Sequence, residues 1–178
     1  MGKLRVGDQQ RGFTLLELMV TVAIIAILAI VVIPYFFGES RKAKAKTEVA
    51  AMFAELAQKE ESYKIDNGTY LAAAQFPIGV PTQQTTTLLP ISATWQTLRV
   101  IVPMNSVYCR YTMYAGAGGT APTTAQGTGA FSMPACAPNC AVNWYTMFAT
   151  CEMDGNVGNS EYFTNSLDST IQIHNEGQ

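Results

Sequence analysis

The side chains in this sequence able to do chemistry fall into four groups. The first is a lone acid, Glu17, the one charged residue in the apolar run 13–37 (FTLLELMVTVAIIAILAIVVIPYFF). A carboxylate at the middle of such a span costs about 2.5–3.5 kcal/mol on insertion scales, so it needs a partner or water at the headgroup level. The second group is Cys109, Cys136, Cys140 and Cys151. An even cysteine count fits two disulfides in an exported domain. One zinc ion is the alternative, but the only close spacing is C-x3-C, without paired C-x2-C knuckles. Three pairings are open. Cys109 with Cys151 is favoured because both lie in strand-like runs, which leaves Cys136 and Cys140 to close a short loop. The third group is Glu152, Asp154 and Asn156, alternating like the first ligands of a calcium loop. Position six of such a loop would be Val157 rather than Gly, and no Glu stands at position twelve. The first reading is therefore a hairpin turn at Asp154-Gly155, with calcium second. The fourth group is His174, the only histidine, with no nucleophile motif around it. G-x-S-x-G, a P-loop and H-E-x-x-H are all absent, so no enzymatic activity and no resident cofactor are expected.

The elements that must position these groups begin with the apolar run. From Leu18 to Phe37 there are 20 consecutive uncharged residues. As a helix they rise about 30 Å, enough to cross a bilayer core. A buried core helix is usually shorter. A cleaved secretory signal has a shorter apolar region and a small-residue cleavage site, whereas 31–37 is bulky. The preceding segment, MGKLRVGDQQRG, is short and basic, with Lys3, Arg5 and Arg11 against Asp8.

Gly12-Phe13-Thr14-Leu15-Leu16-Glu17, followed by an apolar span and Pro34, resembles the N-terminus of a type IV prepilin. That family includes major and minor pilins of type IV pili and the pseudopilins of type II secretion. The motif covers about 25 residues and consists of a basic leader ending in Gly, an aromatic first mature residue, and a Glu four positions on. The resemblance implies cleavage between Gly12 and Phe13 by a prepilin peptidase, and N-methylation of Phe13. It implies that Glu17 pairs with the Phe13 amine of a neighbouring subunit during assembly, and that Pro34 loosens the helix before it. The implied partners are other pilin subunits, the peptidase, the pilus assembly platform and the inner membrane. The implied destination is an extracellular pilus or a periplasmic pseudopilus. Where the family usually has a Gly in the apolar stretch, this chain has Ala26.

The domain reading is a leader at 1–12, a membrane and filament-core helix half at 13–37, an amphipathic helix half at 38–65, and a head at 66–178. In the second half, Val49, Met52, Phe53, Leu56 and Tyr63 form one apolar face, while Arg41, Lys42, Lys44 and Lys46 read as solvated. Asp66-Asn67-Gly68 ends the helix. Residues 71–92 read as a Pro, Thr and Gln-rich loop. Strand-like runs follow at 96–102, 107–115, 144–152, 161–165 and 170–174, and the Gly, Ala and Thr-rich stretch between Ala115 and Trp144 reads as a surface loop. Helix first and strands after predict an α+β fold, with a long N-terminal helix packed on an antiparallel sheet.

Composition excludes other classes. Of 178 residues, 48% are hydrophobic and 13% charged, about half the usual charged share, so this is no charged, disordered tail. The net charge is −2, and past Lys64 only Arg99 and Arg110 face six acids, so there is no strong nucleic-acid signal. The competing readings of function are a type IV pilus subunit, a type II secretion pseudopilin, and a single-span membrane protein whose exported head binds a ligand without polymerising.

Overall fold

The computed structural model describes residues 12–82, 84–87, 90–101, 105–122, 131, 133, 136, 139–152 and 159–175, position 34 for its backbone only. The chain divides into two units, residues 1–37 and 38–178. One helix, α1 (Leu15–Asn67), contributes to both.

Local chemistry sets both ends of α1. Thr14 Oγ1 accepts the Glu17 N–H at 3.2 Å, and Glu17 Oε2 accepts the Thr14 N–H at 3.1 Å. This is a capping box, S/T-x-x-E, satisfying donors that a helix start leaves orphaned. At the other end, Gly68 adopts φ 77° and donates to Lys64 O at 2.7 Å. Only a residue without a Cβ takes that left-handed position at no steric cost.

The second unit is an antiparallel sheet with a core on each face. Its strands are β1 (Ala73–Phe76), β2 (Thr86–Thr87), β3 (Ser106–Val107), β4 (Cys109–Gly116), β5 (Trp144–Cys151), β6 (Ser160–Asn165) and β7 (Gln172–His174). Five of them pair in the order β1-β4-β5-β6-β7, and β2 pairs with β3 separately. Alternation along β4 and β5 sends residues to opposite faces. On the inner face Cys109, Tyr111, Met113, Tyr145, Met147 and Ala149 join Ala45, Val49, Met52, Phe53 and Leu56 of α1 in one buried cluster. On the outer face Trp144, Phe148 and Phe163 bury with Phe131, Met133, Cys136 and Cys140.

The α+β class is as the sequence predicts, and three local expectations are corrected. The run expected at 96–102 forms no strand among its described residues, 96–101: its first two residues close a short helix, α2 (Ala93–Thr97), and Arg99 sits at φ 54°. Trp95 and Leu98, three apart, bury at helical spacing at the end of α2, and Val100 buries beyond them, so the run is anchored in the core without pairing in a sheet. The loop expected at 71–92 contains β1 and β2. Finally, the stretch between Ala115 and Trp144 is not all surface, because Phe131, Met133, Cys136 and Cys140 close the outer core.

Candidate functional site

The first unit presents an uncovered apolar helix. Phe13 is 84% exposed, and Leu15, Leu16, Ile24, Ile27, Ile30, Val31, Tyr35 and Phe36 are all exposed as well. The helix is long and apolar enough to cross a membrane. Apolar residues on every side of a helix need an apolar surrounding, either lipid or other protein. Within this span Glu17 holds its own capping box and also accepts the Thr14 hydroxyl at 3.1 Å. No basic side chain pairs with it among the described residues. α1 runs without interruption through Pro34.

In the second unit the four cysteines are oxidised in two pairs, Cys109–Cys151 and Cys136–Cys140. The first pair joins residues directly opposite each other in the β4–β5 ladder, with Cα atoms 4.3 Å apart. It closes a span of 42 residues; the second closes a span of four. The outer-core disulfide buries in one cluster with Trp144, Phe148 and Phe163, so the connection it tightens is held to the sheet by packing. Of the calcium candidates, Glu152 is half-buried just past β5, while Asp154 and Asn156 lie outside the described residues. Among the described residues, no group of three or more His, Cys, Asp or Glu is gathered as a metal site. His174 lies in β7, its Nδ1 3.4 Å from Glu161 Oε2.

Two acids that sequence reasoning passed over are buried on the inner face of α1. Glu48 is 3% exposed and accepts from the Tyr108 and Cys109 N–H groups and the Tyr111 hydroxyl, all at 2.9–3.1 Å. Burial pushes its carboxyl up, and those hydrogen bonds, with the charge of Arg110, push it back. Glu60 is fully buried. One oxygen, Oε2, accepts the Leu71 N–H at 2.9 Å, and Oε1 has no partner among the described residues. Burial raises its pKa to about 7, with the neighbouring Glu61 charge adding to the rise. The signal was present in the spacing: 45, 49, 52, 56, 60 and 63 fall on one helical face. Acids on a helix rich in Ala, Glu and Lys nevertheless read as solvated.

Residues 8–33 match the model of the prokaryotic N-terminal methylation motif. The chain is 43% identical over 67 residues to type II secretion system core protein G of Escherichia coli K12, covering 38% of this chain and 46% of that protein. It is 42% identical over 72 residues to the type IV wide pilus major component PilA4 of Thermus thermophilus, covering 39% and 54% respectively. Core protein G of Vibrio cholerae is 44% identical over 73 residues, covering 39% and 45%. The chain thus spans about half the length of the curated relatives it matches. No solved structure matches it.

Proposed function

We propose that this chain is a structural subunit of a type IV pilus, processed between Gly12 and Phe13, methylated on Phe13, and polymerised through α1; the methylation-motif match over residues 8–33 and the likeness to core protein G and PilA4 support this reading. The observation that carries this reading is the apolar helix exposed on all sides with a single acid in its first turn. Lipid can cover the apolar surface, but it leaves the acid without a counter-charge. A neighbouring copy supplies both, through its own helix and the cationic Phe13 amine created by cleavage. In this scheme Glu17 exchanges the local Thr14 cap for a charged partner, and the exchange is favourable only where water is excluded. Prepilin peptidase and the assembly platform are the further partners, and the inner membrane holds the subunit before assembly.

Relatives named as core protein G favour a second reading, in which the subunit builds a periplasmic pseudopilus of type II secretion. Both readings share the same polymerising helix. The third alternative, a head that never polymerises, leaves Glu17 only its local cap with Thr14.

The test is Glu17→Ala, with Glu17→Gln beside it, scored for membrane insertion and for content of sheared surface fibres. Insertion is expected to be unchanged and fibre incorporation lost in both. Mass spectrometry of wild-type fibres is expected to begin at methylated Phe13. Fibres of ordinary number in Glu17→Ala overturn the polymerisation scheme. Processed, assembled subunit retained in the periplasm replaces the pilus with the pseudopilus.

A further inference from the structure

We propose that the outer face of the sheet carries a binding site for one small oxyanion, of phosphate or acetate size, seated on Arg110. The observation is a buried cation without an ion pair among the described residues. Arg110 is 4% exposed. Its Nη2 donates to Val80 O at 3.2 Å and to Thr86 Oγ1 at 2.7 Å, which uses both hydrogens of that nitrogen. A guanidinium has five N–H donors. Those on Nε and Nη1 have no acceptor among the described residues. Arginine is almost never fully buried unless paired, and a buried polar group without a partner points to a missing water or ion.

Carboxylates near Arg110 are committed elsewhere. Glu48 exerts an electrostatic pull on Arg110. Its oxygens are taken up by Tyr108, Cys109 and Tyr111, and it makes no ion pair with Arg110. Glu161 is held by His174. Water can satisfy an N–H but leaves the charge unbalanced, whereas an oxyanion does both.

The place for it exists. Arg110, Thr150, Glu161 and His174 stand opposite one another in successive strands, forming a polar row across β4, β5, β6 and β7. A cavity of about 60 Å³ opens along this row, lined by Gln75, Arg110, Thr112, Phe148, Thr150 and Glu161. One water needs at least about 10–15 Å³ measured this way, so the space admits a small polyatomic ion. The two threonine hydroxyls and the Gln75 amide add neutral donors, and Phe148 walls one side. Glu161 is the opposing element: its negative charge selects for small anions of low charge and weakens their retention.

The test uses the full chain in detergent. Phosphate and acetate are titrated at constant ionic strength and pH, and the Arg110 Nε–H resonance is followed by ¹⁵N NMR, with the thermal midpoint alongside. The expected result is a saturable movement of that resonance and a rise in midpoint, since a ligand bound only by the folded state stabilises it. Thr150→Val should weaken binding about fivefold, the equivalent of one neutral hydrogen bond. Glu161→Gln should strengthen it, and Arg110→Gln should remove the midpoint response. An Nε–H resonance unmoved by either anion overturns the site and leaves water in the cavity. So does a midpoint response that survives Arg110→Gln. Should Arg110→Gln fail to fold, the wild-type resonance decides alone. A collapse of the fold in Glu161→Gln would also overturn the proposal, by making Glu161 the true partner of Arg110.

Discussion

Replacing Glu60 with Gln should make the second unit more stable at neutral to alkaline pH and leave it nearly unchanged in mild acid. In the folded protein the Glu60 carboxyl is fully buried, one oxygen bonded to the Leu71 N–H and the other to none of the described residues, and its pKa is raised to about 7 against 4.5 for an exposed acid. Below 4.5 both folded and unfolded chains hold the proton, and the site contributes no pH dependence. Between 4.5 and about 7 the unfolded chain ionises and the folded one does not, so stability falls as pH rises, and above 7 the loss is complete. Each pH unit of displacement is worth about 1.4 kcal/mol, which puts the full loss at about 3 kcal/mol. Relaxation of the helix end and entry of water reduce it toward about 2. Gln keeps an oxygen for Leu71 and carries no charge. At about pH 8 the variant should therefore gain about 2–3 kcal/mol, and at about pH 5 less than about 1. A domain of this size moves its melting midpoint by about 3 °C per kcal/mol. The assay is urea or thermal unfolding of the detergent-solubilised chain, read by the fluorescence of Trp95 and Trp144, which sit in the two cores. Glu48 is also displaced upward and adds its own slope to the wild type, so the difference between wild type and variant is the quantity to read. A variant less stable than wild type at about pH 8, or equally pH-dependent, refutes the reasoning, because the ionised carboxylate would then have a partner in the fold.

Two further outcomes follow from the geometry. Replacing Cys109 and Cys151 with Ser should cost about 4 kcal/mol, and replacing Cys136 and Cys140 about 2, because the first bridge closes the far longer span; denaturant midpoints of the two double variants give the order. Gly116→Ala places a Cβ 2.3 Å from the Trp144 ring, its neighbour across the ladder, and should cost about 1–3 kcal/mol with a changed near-ultraviolet signal from Trp144.

The N-terminal half of the molecule was legible because its signals are local. Gly12-Phe13, Glu17 and the apolar run carry their meaning in adjacent residues, and the stop at Asn67-Gly68 is simple turn chemistry. The capping box is equally readable in Thr14-Leu15-Leu16-Glu17, where the acid's local partner stands three residues away. Strands β4, β5 and β6 were visible through aromatic and β-branched content. The short strand β1 was not: Ala-Ala-Gln-Phe has little strand preference, and its pairing with β4 is supplied by the fold around it. Thr-Leu-Arg-Val-Ile-Val looks extended by composition, yet its first residue closes α2, and Trp95 and Leu98 bury three residues apart across that helix end. The Gly, Ala and Thr-rich connection read as exposed because composition averages over length, whereas Phe131, Met133 and two cysteines within it are what bury. For Glu48 and Glu60 the obstacle is general. Sequence shows which face an acid lies on, but not whether a sheet will later offer it amide hydrogens.

One of these acids has a mechanical consequence. Glu48 grips the Tyr108 and Cys109 amides and the Tyr111 hydroxyl, so the helix is moored to the sheet at the first rungs of β4, beside the covalent tie to Cys151. Tension drawn along α1 would enter the head at that corner. There the two central strands are locked against unzipping, and the load must spread as shear over the whole ladder from Cys109 to Gly116 rather than peel it open one bond at a time.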